Sequence, residues 1–224
     1  FVSIGITFKK FVRIKLEFQY SFGISLLKKS SLFFFTLVFT GILLYIGTIM
    51  LSKLTTADDV GLYSAASNLV IAVLSLPVMY SVAIFPAMSR FFLASKSKLK
   101  FAYGKSFKYM LMLGLPMAIG IFIYANQIIS LFYGQDYMRS SLALRALAAF
   151  VAFRSVNIIS ATSLSAMNRQ GSVVLSQGTA AFSNIALNLI LIPIFGIVGA
   201  GLATVITDIM LFIFYIFLTA RYKL

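Results

Sequence analysis

Histidine, cysteine and tryptophan are absent from all 224 residues of the sequence. Without cysteine there are no disulfide bonds and no thiol chemistry. Without histidine, the side chain that most often carries acid–base catalysis near neutral pH is missing. Zinc sites that depend on cysteine or histidine ligands are excluded for the same reason. We therefore predict no catalytic residue, no metal site and no cofactor.

Negative charge is also scarce. The sequence has five carboxylates and 19 lysine and arginine residues, so the formal net charge is +14. The five are Glu17, Asp58, Asp59, Asp136 and Asp208. A membrane enzyme such as a sugar-phosphate transferase or a polymerase needs clustered acidic groups for metal binding or acid–base work. The adjacent pair Asp58 and Asp59 is typical of a solvated turn. The composition therefore disfavours an enzyme.

Apolar residues dominate what remains. Hydrophobic residues make up 61% of the chain and charged residues 11%, and the mean hydropathy is +1.00. A soluble domain has about 25% charged residues, so a water-soluble fold is excluded. Six apolar stretches are long enough to cross a bilayer as helices, and they lie near 32–51, 60–88, 109–132, 142–165, 173–193 and 197–218. The sequence predicts an all-α integral membrane protein, a bundle of about six transmembrane helices.

We divide the chain into two parts. Residues 1–30 are expected to form a basic cytoplasmic linker with an interfacial helix, and residues 31–224 the six-helix transmembrane lobe. Two stretches, Phe8–Phe22 and Leu99–Tyr109, interleave lysines with aromatic and aliphatic residues. One interpretation is that they lie along the lipid headgroups; the other is that they are ordinary juxtamembrane linkers. Since the chain begins with Phe1, we expect it to be part of a longer protein.

The lysines and arginines are distributed unevenly between the two ends of these spans. Fifteen lie on one side and two, Lys53 and Arg139, on the other. By the positive-inside rule, both termini of this segment are predicted to be cytoplasmic, with the spans in the cytoplasmic membrane. The charge is then expected to set the topology and to attract anionic membrane lipids. It does not form the soluble basic face that nucleic-acid binding requires.

Several polar side chains interrupt the apolar spans, where they are costly and therefore informative. Arg154 and Asn157 share one face of the fourth span, Asn184 and Asn188 one face of the fifth, and Asp208 lies in the sixth. The second span carries a similar stripe, which comprises Ser64, Asn68 and Ser75. Such stripes are predicted to face other helices or a water-filled cavity rather than lipid. Arg154, Asn184 and Asp208 all lie near the middle of their spans and are expected to meet at one level.

Two interpretations of this meeting stay open. In the first, Arg154 and Asp208 form an ion pair that holds the bundle together, with Asn184 completing its hydrogen bonds. In the second, they line a hydrated cavity where Arg154 meets an anionic substrate and Asp208 tunes it or carries a proton. Arg145 lies nearer the outer end, where it either snorkels to the interface or guards the outer mouth of the cavity.

Proline and glycine mark the helices that can bend or pack closely. Pro77 and Pro116 interrupt the second and third spans, where each removes a backbone hydrogen bond. They are candidate hinges, and static kinks that shape the bundle are the alternative. The fifth and sixth spans are separated by the stretch Pro193–Gly196, which predicts a tight antiparallel hairpin. Glycines at and after this turn would allow its two helices to pack closely.

Three local patterns resemble one family. They are the stretch Asp59-Val60-Gly61-Leu62-Tyr63-Ser64-Ala65-Ala66 that follows Tyr45-Ile46-Gly47, the run Leu187–Pro193 followed by Phe195–Gly201 and Ala203-Thr204, and the segment Ser163–Gln170. They resemble polysaccharide-biosynthesis flippases of the lipid-linked oligosaccharide or O-antigen type. These flippases belong to the multidrug/oligosaccharidyl-lipid/polysaccharide exporter superfamily. The resemblance covers about residues 32–218.

The resemblance implies that the chain is the C-terminal half of such a protein, one lobe of a two-lobed inverted-V-type transporter. The N-terminal lobe would then be its partner. The implied cargo is a polyprenyl-(pyro)phosphate-linked glycan, which alternating access carries across the membrane. Because its head is anionic, Arg154 is our candidate for the phosphate contact. The alternatives are a multidrug or toxin exporter of the same superfamily coupled to Na⁺ or H⁺, and a membrane scaffold subunit of a glycan-assembly complex.

Overall fold

The protein is described by a computed structural model that covers residues 20–224. Most of the predicted linker, and most of the stretch Phe8–Phe22, lie outside the described residues. The elements are α1 Tyr20–Leu54, α2 Ala57–Ala94, α3 Lys96–Tyr133, a 3₁₀ turn Gln135–Tyr137, α4 Ser140–Ala166 and α5 Gln170–Arg221. All five α-helices are long and apolar enough to cross a membrane. The predicted all-α membrane fold is confirmed.

Helix α5 is two helices joined at a sharp turn. Gly196 has φ 57° and ψ −131°, outside the helical region. The side chain of Asn184 donates a hydrogen bond to the carbonyl oxygen of Ala203 at 3.3 Å. In an unbroken helix these residues would be roughly 28 Å apart. The halves 170–195 and 197–221 therefore lie antiparallel, and the hairpin predicted from Pro193–Gly196 is confirmed.

Two glycines beyond the turn allow this hairpin to pack closely. A Cβ atom on Gly199 would overlap the carbonyl oxygen of Leu191 in the opposite half. A Cβ atom on Gly201 would lie 2.8 Å from the Cβ of Ala146 on α4. Small residues of this kind are what brings helices together in a bilayer, where apolar burial drives association only weakly.

The basic stretch 90–108 is helical, although the sequence predicted a break there. Between α2 and α3 a single residue, Ser95, is extended, with φ −167° and ψ 127°. Lysine and arginine are good helix formers, so the charge of this stretch does not interrupt the helix. Leu99 and Tyr103 are buried against the bundle, while the lysines between and beside them are exposed. The stretch Leu99–Tyr109 therefore belongs to the first turns of α3 and packs one face against the bundle, and its position relative to the headgroups stays a prediction.

Helix α4 forms the centre of the bundle and is the most buried of the five. Its Ser155 approaches α3 closely, since a Cβ atom on Gly114 would lie 3.0 Å from it. The hydroxyls of Tyr103 and Ser160 add a hydrogen bond of 3.1 Å between the same two helices. The surface of the bundle is apolar, as lipid requires, with exposed side chains that include Leu37, Leu76, Phe122, Leu175 and Phe217.

The irregular backbone does not coincide with the proposed hinges. Helix α2 continues through Pro77, and α3 continues through Pro116. The non-helical residue of α3 is Tyr124, with φ −95° and ψ 16°. A hinge role for Pro77 and Pro116 stays a prediction.

Contacts between loops show which chain segments share an end of the bundle. At one end, the guanidinium of Arg139 lies 3.7 Å from the carboxylate of Asp59. At the other, the guanidinium of Arg169 lies 4.6 Å from the ring centre of Tyr222. The connections between helices therefore alternate between the two ends of the bundle, as they must when successive helices run up and down. Which end faces the cytoplasm stays a prediction.

Candidate functional site

A cavity of about 610 Å³ lies between α1, α2, α4 and both halves of α5. Its wall is mostly apolar, with side chains from α1 and α2 that include Phe33, Leu44, Ile71, Leu74, Val78, Val82 and Phe85. Polar side chains collect on the opposite wall, which α4 and α5 form. They include Arg154, Asn157, Ser165, Gln170, Gln177 and Tyr215. The α1–α2 wall adds only the hydroxyls of Thr36, Thr40, Ser75 and Ser81, so that wall is mostly apolar while the α4–α5 wall carries the charged and amide groups.

Arg154 and Asp208 form an ion pair behind this polar wall. The Nε atom of Arg154 lies 3.6 Å from Oδ1 of Asp208, and the two side chains are 9% and 1% exposed. The guanidinium also lies 5.1 Å from the ring centre of Phe150, which is a cation–π distance. Both side chains face the bundle interior, as their depth in the spans predicted. The pair is electrically neutral as a whole. The cavity wall therefore offers hydrogen-bonding groups in fixed directions but little net positive charge.

An amide of α4 completes the carboxylate's hydrogen bonds. Nδ2 of Asn157 donates to Oδ1 of Asp208 and to its backbone oxygen, both at 2.9 Å. The ion-pair interpretation expected Asn184 in this role, and that part of it is wrong, since the donor is Asn157. Asn184 instead donates to Oγ1 of Thr207 at 2.9 Å. Thr207 precedes Asp208 by one residue, so Asn184 lies at the predicted level beside Asp208. Its side chain points to Thr207 rather than to the carboxylate.

Four buried atoms of this polar wall have no partner within the described protein. They are Nη2 of Arg154, Oδ1 of Asn157, Oε1 of Gln177 and Oη of Tyr215. A buried polar atom without a partner costs roughly 1–3 kcal/mol, so such atoms require an explanation. All four residues line the cavity. This wall thus carries donors, on Arg154 and Tyr215, and acceptors, on Asn157 and Gln177, that no described protein group satisfies.

Asn184 and Asn188 lie apart from the cavity lining. Nδ2 of Asn188 donates to Oδ1 of Asn184 at 2.9 Å. Through Asn184 and Thr207 this network joins the two halves of α5. The two asparagines therefore hold the hairpin together, and their predicted substrate contact finds no support in the lining of the cavity.

A second polar network lies at the end of the cavity near the α4–α5 turn. Oγ of Ser165 donates to Oε1 of Gln170 at 2.6 Å, and Nε2 of Gln170 donates to Oγ1 of Thr36 at 2.7 Å. Three helices, α1, α4 and α5, are joined in this way. Sequence reasoning missed Gln170 as a site residue because a polar residue at the boundary of a span looks like part of a turn.

Two further predicted residues lie elsewhere. Arg145 is half-buried on α4 and does not line the cavity. Asn68 on α2 is exposed on this chain, and whether it faces a cavity stays a prediction. Ser75 of the same stripe does line the cavity. The described part of the chain holds no cluster of three or more acidic, histidine or cysteine side chains suited to a metal ion.

The sequence matches a known family over much of its length. Residues 1–142 match the family described as polysaccharide biosynthesis protein. A related protein of Haloferax volcanii, named probable low-salt glycan biosynthesis flippase Agl15, is 28% identical over 155 residues. That match covers 68% of this chain and 32% of the relative.

Two solved structures share the fold. The lipid II flippase MurJ in an inward closed conformation superposes with a TM-score of 0.76 at 19% identity, which covers 98% of this chain and 48% of that one. An outward-facing multidrug resistance MATE transporter of the MOP superfamily gives a TM-score of 0.72 at 17% identity. It covers 83% of this chain and 41% of that one. The chain thus spans between about a third and a half of these three proteins, and it belongs to the polysaccharide biosynthesis protein family of multi-pass membrane proteins.

Proposed function

We propose that this chain is one lobe of a flippase that moves lipid-linked oligosaccharide across the cytoplasmic membrane for polysaccharide or glycan synthesis. Family membership supports this, as does the related protein named a glycan biosynthesis flippase. The substrate would be a polyprenyl-(pyro)phosphate-linked glycan. A transporter needs no catalytic group, and this chain has neither histidine nor cysteine.

The observation that carries the proposal is the unpartnered edge of Arg154. Its Nη2 atom is buried beside a cavity and has no protein partner in the described residues. A guanidinium matches phosphate geometry, and its hydrogen bonds to phosphate oxygens are stronger than those between neutral groups. Asn157 offers an acceptor oxygen close by, which suits a sugar hydroxyl. The apolar wall of α1 and α2 suits the polyprenyl chain.

The lobe interpretation is supported by the extent of the structural match. Nearly all of this chain superposes on about half of the lipid II flippase. We infer a second lobe that faces the cavity from the side of α1 and α2, as in an inverted-V transporter. Both termini of the segment would be cytoplasmic, because the lysines and arginines are concentrated at that end.

A multidrug exporter coupled to Na⁺ or H⁺ is the alternative with the same fold. Such coupling favours a carboxylate in the spans that is free to bind the ion. Among the described residues, Asp208 is the carboxylate within the bundle, and it already accepts from Asn157 and pairs with Arg154. The arrangement therefore favours the glycan substrate.

The first prediction separates a substrate contact from a structural pair. In the complete protein, the double variant Arg154→Gln/Asp208→Asn removes both charges at once and leaves no unpaired ion. If Arg154 contacts the phosphate, flipping should slow at least tenfold, which is about 1.4 kcal/mol in the barrier. The measurement is the flipping rate of a lipid-linked glycan in reconstituted vesicles, with protein amount and melting temperature checked in parallel.

The matched control is the other ion pair of the described chain, Asp59 and Arg139. The variant Arg139→Gln/Asp59→Asn removes the same two charges at an exposed site, where ion pairs contribute little. We expect its flipping rate to stay within twofold of the unmodified protein. A well-folded Arg154→Gln/Asp208→Asn protein that flips at the normal rate would reduce the buried pair to a structural role.

A further inference from the structure

A second recess, separate from the central cavity, lies at the end of the bundle where α2 meets α3 and α4 meets α5. Its volume is about 330 Å³, which corresponds to roughly ten water molecules at about 30 Å³ each. Three chain segments contribute cations to its rim: Lys96 from the start of α3, Arg169 from the α4–α5 turn, and Arg221 with Lys223 from the end of α5.

None of these cations forms an ion pair with an aspartate or glutamate side chain of the described chain. The two ion pairs found among residues 20–224 are Arg139 with Asp59 and Arg154 with Asp208, both outside this recess. Asp58 and Asp136 lie at the opposite end of the bundle. Four positive charges around one small recess repel one another unless an anion lies between them.

Part of the recess is held in place before any ligand arrives. The guanidinium of Arg169 stacks on Tyr222, with 4.6 Å from its central carbon to the ring centre. The hydroxyls of Tyr222 and Ser172 lie 3.3 Å apart and fix the ring. The bond from Ser172, with the charges of Arg169 and Arg221, lowers the pKa of Tyr222 below its ordinary value. The same positive field acts on any ligand that enters.

We infer that this recess binds the phosphate of an anionic phospholipid headgroup. Its mouth lies where the helices end, at the level of the headgroups in a bilayer. Phe92 and Met167 also line it and provide apolar contacts for the part of the lipid below the phosphate. Lys98 and Lys105 line another recess beside α3, but both project from that one helix. The four cations here converge from three separate chain segments, which a diffuse basic surface does not account for.

The test is lipid binding to the complete purified protein, measured by native mass spectrometry. Phosphatidylglycerol should bind at least tenfold more tightly than phosphatidylcholine. The variant Lys96→Gln/Arg221→Gln should weaken phosphatidylglycerol binding at least tenfold, since each basic residue near a membrane surface adds to the attraction. The swap Lys96→Arg/Arg221→Lys keeps both charges and should stay within threefold.

The control Lys100→Gln/Lys108→Gln removes two exposed charges of α3 that line neither of these recesses, and it should change binding less than threefold. Equal losses in both glutamine variants would show a diffuse attraction and overturn the site. Equal binding of both lipids would overturn it too, as would a swap variant that loses as much as Lys96→Gln/Arg221→Gln. Saturable stabilisation of the lipid-free protein by inorganic phosphate, lost in Lys96→Gln/Arg221→Gln, would assign the recess to a free anion instead.

Discussion

At the scale of single residues, the buried pair of Arg154 and Asp208 shows why charge inside a membrane has to be considered together with its hydrogen bonds. The carboxylate accepts from Asn157 and faces the guanidinium, so all of its formal charge is compensated. The guanidinium retains one nitrogen without a partner among residues 20–224. A residue can therefore belong to a structural pair and still present a hydrogen-bond donor to a cavity.

Removing one partner of this pair should be more damaging than removing both. Arg154→Ala leaves Asp208 as a buried charge without its cation, and we expect a loss of about 3–5 kcal/mol in unfolding free energy. Thermal unfolding in detergent measures this as a lower melting temperature.

The exposed pair provides the comparison, because Arg139→Ala should cost at most about 1 kcal/mol. Adding Asp208→Asn to Arg154→Ala should recover part of the lost stability. If Arg154→Ala melts at the temperature of the unmodified protein, the pair does not stabilise the fold.

At the scale of elements, the hairpin of α5 depends on backbone approach at glycine. Gly196 adopts a positive φ that other residues reach only with strain, and Gly199 lies against the backbone of Leu191. The asparagine network then joins the halves through Asn184 and Thr207. All of these contacts lie within one hairpin, whose turn is marked by the proline and glycine of the stretch Pro193–Gly196. The hairpin could therefore be predicted from the sequence.

The close approach predicts the effect of a single methyl group. Gly199→Ala places a Cβ atom where the carbonyl oxygen of Leu191 lies, so the two halves must separate. Overpacking of this kind costs about 1–3 kcal/mol, and we expect a lower melting temperature in detergent.

Gly120 on α3 is a suitable control, since a Cβ atom there meets nothing within 4 Å. Gly120→Ala should be neutral or stabilising by about 0.5–1 kcal/mol, because alanine restricts the unfolded chain. Equal melting temperatures for the two alanine variants would contradict the close packing of the hairpin.

At the scale of the whole molecule, the ends of the bundle differ strongly in charge. Asp58, Asp59 and Asp136 lie at one end, while Lys96, Arg169 and most other basic residues of the described chain lie at the other. The positive-inside rule then predicts one orientation for the entire bundle. That orientation would decide from which side the proposed ligands reach the central cavity and the basic recess.

Cysteine labelling tests this orientation directly, since the 224 residues contain no cysteine of their own. In a cysteine-free background of the complete protein, Lys98→Cys should react with a membrane-impermeant maleimide only after the cells are opened. Asp136→Cys should react in intact cells, and Lys53→Cys should behave like Asp136→Cys. Labelling of Lys98→Cys and Asp136→Cys from the same side would refute the topology.

Sequence alone was enough for the helical class, the spans, the hairpin and the depth of Arg154, Asn184 and Asp208. These follow from local properties: hydropathy along the chain, and the need of every backbone group in lipid to bond within its own segment. The tertiary structure decided which amide meets Asp208, which side chains line the cavity and which cations converge at the basic recess. Those outcomes depend on the rotation of each helix about its axis, and packing against distant neighbours sets that rotation.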